Sequence, residues 1–191
     1  SDGKVSVAVD FVEIVTSDES SFVDVAKDAY YYDAVMWAVK QGITNGITAD
    51  TFRPNSSCTR AQMVTFLWRA VGSPKVTGSN VFTDIKTDNY YYDAVLWAVE
   101  QGITKGITAT TFAPNTTVNR AQTVTFLYRA NSSPASEGSS FADVPAGAYY
   151  ADAVVWAKNE GITAGLGGNV FSPKSDCTRG QIVTFLHRNA Q

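Results

Sequence analysis

Three arginines occupy matching places in a stretch that occurs three times along the chain. Arg60, Arg120 and Arg179 each follow a threonine or an asparagine, which are favoured helix N-caps, so each arginine is predicted at the first position of a helix. A cation there opposes the helix dipole, and stability alone therefore does not select it. A guanidinium beside helix amides can bind an anion such as a carboxylate.

The sequence leaves a second interpretation of these arginines open. Each can form a salt bridge with an aspartate of a neighbouring repeat, and the candidate acids are Asp24, Asp84 and Asp143. If the arginines bind a ligand, Arg120→Ala weakens ligand binding without unfolding the domain. If they are held in salt bridges, the same substitution lowers the melting temperature.

Aromatic side chains form a second group that can contact a ligand, because sugars stack on exposed rings. Tyrosines lie in runs at residues 30–32, 90–92 and 149–150. Three adjacent tyrosines cannot share one helix face, so one or two in each module are predicted to be partly exposed. The candidate binding tyrosines are Tyr31, Tyr91 and Tyr150. The tryptophans at one recurring position are either core residues or ligand contacts: Trp37, Trp97 and Trp156.

The elements that carry these residues repeat in the same order three times. Each unit begins with Phe-x-Asp-Val or Phe-x-Asp-Ile and continues into an amphipathic helix, predicted at residues 30–41 in the first unit. Gly42 is predicted to end that helix, and Phe52 to anchor the following loop in the core. A second glycine in the loop allows either a left-handed turn or the close approach of a sugar to the backbone. These loop glycines are Gly46, Gly106 and Gly165.

The arginine-bearing helix closes each unit and is predicted to lie in the core. Thr59 and Gln62 have the spacing of a capping box, and the other two copies repeat it. The residues that follow are apolar around most of the helix, which is typical of a buried helix. Three such helices in one small chain favour an all-α fold with a central three-helix bundle.

Fixed internal spacing and variable linkers divide the chain into three modules, which we number 1 to 3. They are predicted at residues 22–73, 82–133 and 141–191, and together they form one composite domain. Residues 4–15 are rich in β-branched side chains and predict a short β-strand. Residues 1–21 are therefore interpreted as a strand and linker, and the strand is either the remnant of a preceding domain or an edge strand docked on this one. The chain is expected to be part of a larger protein.

Composition excludes several classes of function. The net charge of -3 and the pI of about 5.1 disfavour nucleic acid binding. No apolar run approaches the roughly 20 residues that span a bilayer, so no membrane insertion is predicted. Metal-ligand spacings and catalytic motifs are also missing from the sequence, which predicts a protein that is not an enzyme and needs no cofactor. His187 aligns with Trp68 and Tyr128 and is interpreted as a third ring, while Cys58 and Cys177 are either buried thiols or a disulfide.

The order Phe-x-Asp-Val, Tyr-x-x-Asp-Ala-Val, Gly-Ile, Phe-x-Pro and Thr-Arg-Ala-Gln, repeated three times, resembles the S-layer homology family over residues 22–190. The resemblance implies a monomeric, pseudo-threefold domain with a central bundle and three outward prongs. It also implies a secreted protein held on a Gram-positive cell wall. The implied ligand is an anionic secondary cell wall polymer, bound at pyruvate-modified sugars in the grooves between the prongs.

The sequence departs from the family pattern at the position after Thr-Arg-Ala. The family has Glu there, whereas this chain has Gln62, Gln122 and Gln181, so a negative charge beside each arginine is lost. Module 3 has Gly180 where the family has Ala, and its loop differs from the other two, which predicts an altered third groove. The alternative function is binding of a protein partner, or self-association, through the surface of the domain. Repeated sites favour binding over catalysis in either case, because repetition gives avidity.

Overall fold

A computed structural model describes residues 21–191, so the strand predicted at residues 4–15 lies outside the described residues. Within residues 21–191 the chain forms six α-helices and no strand, which confirms the all-α prediction. None of these described helices has the length and apolarity needed to cross a bilayer. The helices are α1 (Tyr32–Lys40), α2 (Arg60–Ala70), α3 (Tyr92–Glu100), α4 (Arg120–Ala130), α5 (Ala151–Asn159) and α6 (Arg179–Asn189).

The first helix of module 1 is shorter than the sequence predicted. In module 1 the predicted residues 30–41 shrink to Tyr32–Lys40, because Tyr31 is the N-cap and no side chain caps the helix there. Gly42 follows the helix with a φ of 70°, which is the left-handed conformation predicted for it. The helix buries Ala34, Val35 and Ala38.

The second helix of each module begins with the predicted capping box. In α2 the Gln62 amide donates to Thr59 Oγ1 at 3.2 Å, and the Thr59 amide donates to Gln62 Oε1 at 3.0 Å. The same reciprocal pair opens α4 and α6. All three capping boxes are therefore confirmed, and the glutamines keep the geometry without a charge.

The residues just before these capped helices meet in a closed ring of backbone hydrogen bonds. The amide of Cys58 donates to the carbonyl of Cys177 at 3.0 Å, Cys177 donates to Val118 at 2.9 Å, and Val118 donates to Cys58 at 2.9 Å. All three side chains are fully buried. Both cysteines are free thiols, which decides the question that the sequence left open.

Helix packing runs in the same cyclic order as the ring. The second helix of each module packs on the first helix of the next, so α2 contacts α3, α4 contacts α5, and α6 returns to α1. In addition α2 contacts both α4 and α6. The loop phenylalanines are fully buried as predicted: Phe52, Phe112 and Phe171. The three outward prongs and the full pseudo-threefold arrangement stay a prediction.

Candidate functional site

Arg60 reaches from the start of α2 into module 2. Its Nε donates to the carbonyl oxygen of Phe112 at 2.9 Å, and its guanidinium lies over the rings of Phe112 and Phe126, at 4.8 and 5.6 Å from the ring centroids. Only 3% of the side chain is exposed. Arg120 contacts Phe171 in the same way, and Arg179 contacts Phe52. The three arginines therefore join the modules in a closed circle.

The aspartates suggested as salt-bridge partners bind backbone amides. Asp84 accepts hydrogen bonds from the amides of Phe112 and Ala113, at 2.9 and 2.7 Å. Arg60 takes the carbonyl of the same Phe112, so arginine and aspartate hold one loop residue from both sides. The other modules repeat this arrangement with Asp24 and Asp143. Desolvation acts to raise the pKa of Asp143, but hydrogen bonds from two amides lower it overall.

The expectation that first-turn amides contribute to an anion site is wrong. The amides of Arg60 and Ala61 donate to the carbonyls of Thr116 and Pro114 in module 2, at 2.8 and 3.0 Å. The next amide is taken by the capping box. The start of α2 therefore has no amide left for a ligand, and α4 and α6 use theirs in the same way.

Two grooves in the described part of the chain each combine residues of all three modules. The first groove has a volume of about 280 Å³ and is lined by Gly46, Gln62 and Arg69 of module 1, Tyr90 of module 2 and Arg179 of module 3.

The second groove has a volume of about 490 Å³. It is lined by Gly106, Gln122 and Arg129 of module 2, Tyr149 of module 3 and Arg60 of module 1. None of the described residues that line these two grooves is acidic. Each groove is therefore basic, although the whole protein carries a net charge of -3.

Each groove holds a second arginine that the sequence analysis missed. Arg69 lies in the last turn of α2, and its Nη1 donates to the carbonyl of Ile43 at 3.1 Å. Arg129 makes the same bond to Ile103 at 2.9 Å. The signal was the recurrence of these arginines in all three copies, but a cation in the last turn of a helix is also explained by the helix dipole. Burial lowers the pKa of Arg60 and Arg179, yet a guanidinium stays protonated in proteins.

The groove tyrosine is the first of each run, not the second. Tyr90 and Tyr149 line the two grooves and are 61% and 64% exposed. Burial and the neighbouring Tyr150 raise the pKa of Tyr149, whereas Arg129 and Arg60, which line the same groove, act to lower it. The three candidate tyrosines lie elsewhere. Tyr31 is buried, Tyr91 lines a separate cavity beside Asp84, and Tyr150 packs half-buried against the core. None of the three lines either groove.

The candidate tryptophans lie in or against the core. Trp97 and Trp156 are buried, and Trp37 is half-buried with its ring 5.2 Å from that of His187. The interpretation of His187 as a third ring is therefore confirmed. Tyr128 makes the matching contact with Trp156 at 5.6 Å.

The loop glycines are required by internal packing. Gly46 has a φ of 87°, and a Cβ there would lie 2.5 Å from the ring of Phe22. Gly106 and Gly165 have the same conformation and are limited by Phe82 and Phe141 in the same way. Gly46 and Gly106 do line the grooves, but the turn alone explains why glycine occupies these positions.

The fold and the grooves define the class of the protein: an all-α domain built from three repeats that contact one another in a circle. Comparison with known proteins gives the family: the S-layer homology domain model matches residues 21–64, 81–124 and 140–183, which is more than half of the chain. The chain belongs to the S-layer homology family. The module boundaries given above stay predictions.

Three relatives illustrate where such domains occur. The chain is 35% identical over 98 residues to a surface-layer 125 kDa protein of Lysinibacillus sphaericus, covering 51% of the chain and 8% of that protein. It is 33% identical over 114 residues to an endoglucanase of Bacillus sp. strain KSM-635, covering 60% and 12%. It is 26% identical over 158 residues to a cellulosome-anchoring protein of Acetivibrio thermocellus, covering 74% and 35%.

The chain thus spans only a minor part of each relative. The endoglucanase match covers 12% of the enzyme, so its catalytic activity does not transfer to this chain. Domains of this family anchor proteins at the cell surface, which is the coarse function and location that family membership supports.

Proposed function

We propose that this domain anchors a secreted protein to a Gram-positive cell wall by binding an anionic wall polymer in its inter-module grooves. The observation that carries the proposal is the pair of arginines in each groove, supplied by two different modules, with no acidic residue among the described lining. Local positive charge on a protein of net charge -3 selects anions and steers them to the grooves.

The grooves also suit a sugar that carries a pyruvate group. The exposed ring of Tyr149 offers a face to a sugar, and Ile107, which is 55% exposed, lies in the same groove. A pyruvate ketal has a carboxylate and a methyl group on one carbon. Arg60 and Arg129 fit the carboxylate, and Ile107 fits the methyl group.

Gln122 offers a ligand in the second groove an uncharged hydrogen-bond donor. Its Oε1 accepts the Asn119 amide at 3.0 Å, so its Nε2 is the group that it can offer to a ligand. A glutamate, which the family has at this position, would keep the cap but make the groove less positive. The glutamines therefore favour anion binding, and repeated grooves on one polymer add avidity.

Sedimentation with purified cell-wall sacculi tests the proposal. The domain is incubated with native sacculi and with sacculi from which acid has removed the secondary polymers. We expect binding to the native sacculi and loss of binding after extraction. Equal binding to both would contradict the proposal and indicate peptidoglycan as the ligand. Binding to neither would favour a protein partner.

A further inference from the structure

The two grooves differ in charge at one loop position. Lys105 lines the second groove, whereas the matching residue is Asn45 in module 1 and Ala164 in module 3. The second groove therefore has three cationic side chains, Arg60, Arg129 and Lys105, and the first groove has two. The second groove is also larger, at about 490 Å³ against about 280 Å³.

Arg60 supplies the second groove with an unused donor. Its Nε is bound to the carbonyl of Phe112, but its Nη2 is buried and has no hydrogen-bond partner among the described residues. A buried donor without a partner is destabilising. Arg60 is 3% exposed and lines this groove, so an acceptor on a ligand can complete its hydrogen bonds.

We propose that the second groove is the principal binding site and takes a group with two negative charges. Arg60 and Arg129 bind the first charge, and Lys105 binds the second. The first groove has no lysine in its lining, because Asn45 occupies the sequence position that matches Lys105, and the second charge is left unpaired there. The proposal rests on the proposed function, because it names the charge class of the ligand that these grooves bind. The shared chemistry is a group with two negative charges, either a phosphate monoester or a pair of carboxylates, of which the pyruvate carboxylate can be one.

Small anions test this proposal separately from wall binding. The Nε–H groups of Arg60 and Arg179 are hydrogen-bonded and buried, so their ¹⁵N signals can report on the second and first grooves. Acetate, malonate and phosphate are titrated at constant low ionic strength and at about pH 8, where phosphate is a dianion. With malonate or phosphate we expect the Arg60 signal to respond at a concentration about two- to fivefold lower than the Arg179 signal.

The three anions differ in charge and in chemical type, so their responses show which kind of anion the second groove prefers. With acetate, the midpoint concentrations of the Arg60 and Arg179 signals should differ by less than about twofold, because acetate carries one charge. A stronger response to phosphate indicates a phosphate monoester, and a stronger response to malonate indicates paired carboxylates. Equal responses of Arg60 and Arg179 to every anion, or no response of either, would overturn the proposal.

A reciprocal pair of variants assigns the effect to Lys105. Lys105→Asn copies module 1 into module 2, and Asn45→Lys does the reverse. Both positions are exposed, so the fold should be unaffected. We expect Lys105→Asn to bring the Arg60 midpoint to that of Arg179, and Asn45→Lys to lower the Arg179 midpoint about two- to fivefold. Unchanged midpoints in Lys105→Asn would contradict the assignment.

The outcome separates this proposal from the anchoring function. If the domain fails to sediment with native sacculi but Arg60 and Arg179 differ as expected, the second groove remains the stronger anion site and the proposed wall ligand is wrong. If the domain binds sacculi but Arg60 and Arg179 respond equally to every anion, the proposed wall ligand stands and the proposal of a principal second groove is wrong.

Discussion

At the scale of the residue, each of the three arginines at a helix start holds a loop phenylalanine of another module. The Nε of Arg120 satisfies the carbonyl of Phe171, and its guanidinium covers the rings of Phe171 and Phe185 at 4.7 and 5.5 Å. A cation at the first position of a helix is unfavourable for the dipole, but contacts to the next module outweigh this effect. The sequence left ligand contact and a structural role open. The fold shows a structural role for all three arginines, and ligand contact by Arg60 and Arg179 stays a proposal.

Arg120→Ala should therefore destabilise the domain. The substitution leaves the buried Phe171 carbonyl without its donor and removes packing from two rings, so we expect a loss of about 2 to 4 kcal/mol in the free energy of unfolding. Urea denaturation followed by circular dichroism measures this loss. Arg53→Ala is the matched control, because Arg53 is exposed and Ala113 occupies the same place in module 2. A stability loss as small as that of the control would show that the inter-module contact contributes little.

At the scale of the element, the ring at residues 58, 118 and 177 explains the two thiols. Burial raises the pKa of Cys58 to about 12 and that of Cys177 to about 11, so both remain protonated thiols over the usual pH range. Val118 occupies the third place in the ring with an aliphatic side chain. The cysteines therefore act as small apolar residues.

The thiols should make the fold less stable in alkali. An unfolded thiol loses its proton near pH 9, while the folded thiols keep theirs, so stability falls as pH rises above about 9, by at most about 1.4 kcal/mol per pH unit for each thiol. A double variant, Cys58→Val with Cys177→Val, copies Val118 and should fold. Urea denaturation between about pH 8 and pH 11 should show a smaller loss for the variant. Identical losses would mean that other groups, such as tyrosines, cause the alkaline effect.

The helices and caps were predictable from local sequence, whereas the tyrosine and the second arginine of each groove were not. Thr59 and Gln62 are three residues apart, so local spacing sufficed for the capping box. Tyr90 and Arg179 lie far apart in sequence and meet only because module 3 returns to module 1. No local pattern shows which member of a tyrosine run faces a groove. The sequence therefore favoured Tyr31, Tyr91 and Tyr150, whereas Tyr90 and Tyr149 line the two grooves.

At the scale of the whole molecule, the modules depend on one another. Arg179 holds Phe52, and α6 packs on α1, so the last module completes the first. Linear repeat arrays contact only their neighbours and can be shortened with limited loss. A closed circle of contacts cannot lose one member without exposing two interfaces.

Removal of module 3 should therefore abolish cooperative folding. A chain that ends at residue 133 leaves the Cys58 amide without its Cys177 acceptor and α1 without α6. We expect the intact domain to unfold in a single sharp thermal transition, and the shortened chain to lack one. Differential scanning calorimetry measures both. A shortened chain with a transition similar to that of the intact domain would contradict interdependence of the modules.

The most direct test of anion binding in the grooves replaces all three glutamines with glutamate. The triple variant Gln62→Glu, Gln122→Glu and Gln181→Glu keeps each capping box, and at residues 62 and 122 it adds a negative charge to the lining of a described groove. Titration calorimetry with acid-released wall polymer compares it with the unmodified domain. We expect the melting temperature to be unchanged or slightly higher, and the affinity to fall at least about fivefold, which corresponds to about 1 kcal/mol. Equal affinity of the two proteins for the polymer would contradict anion binding in the grooves.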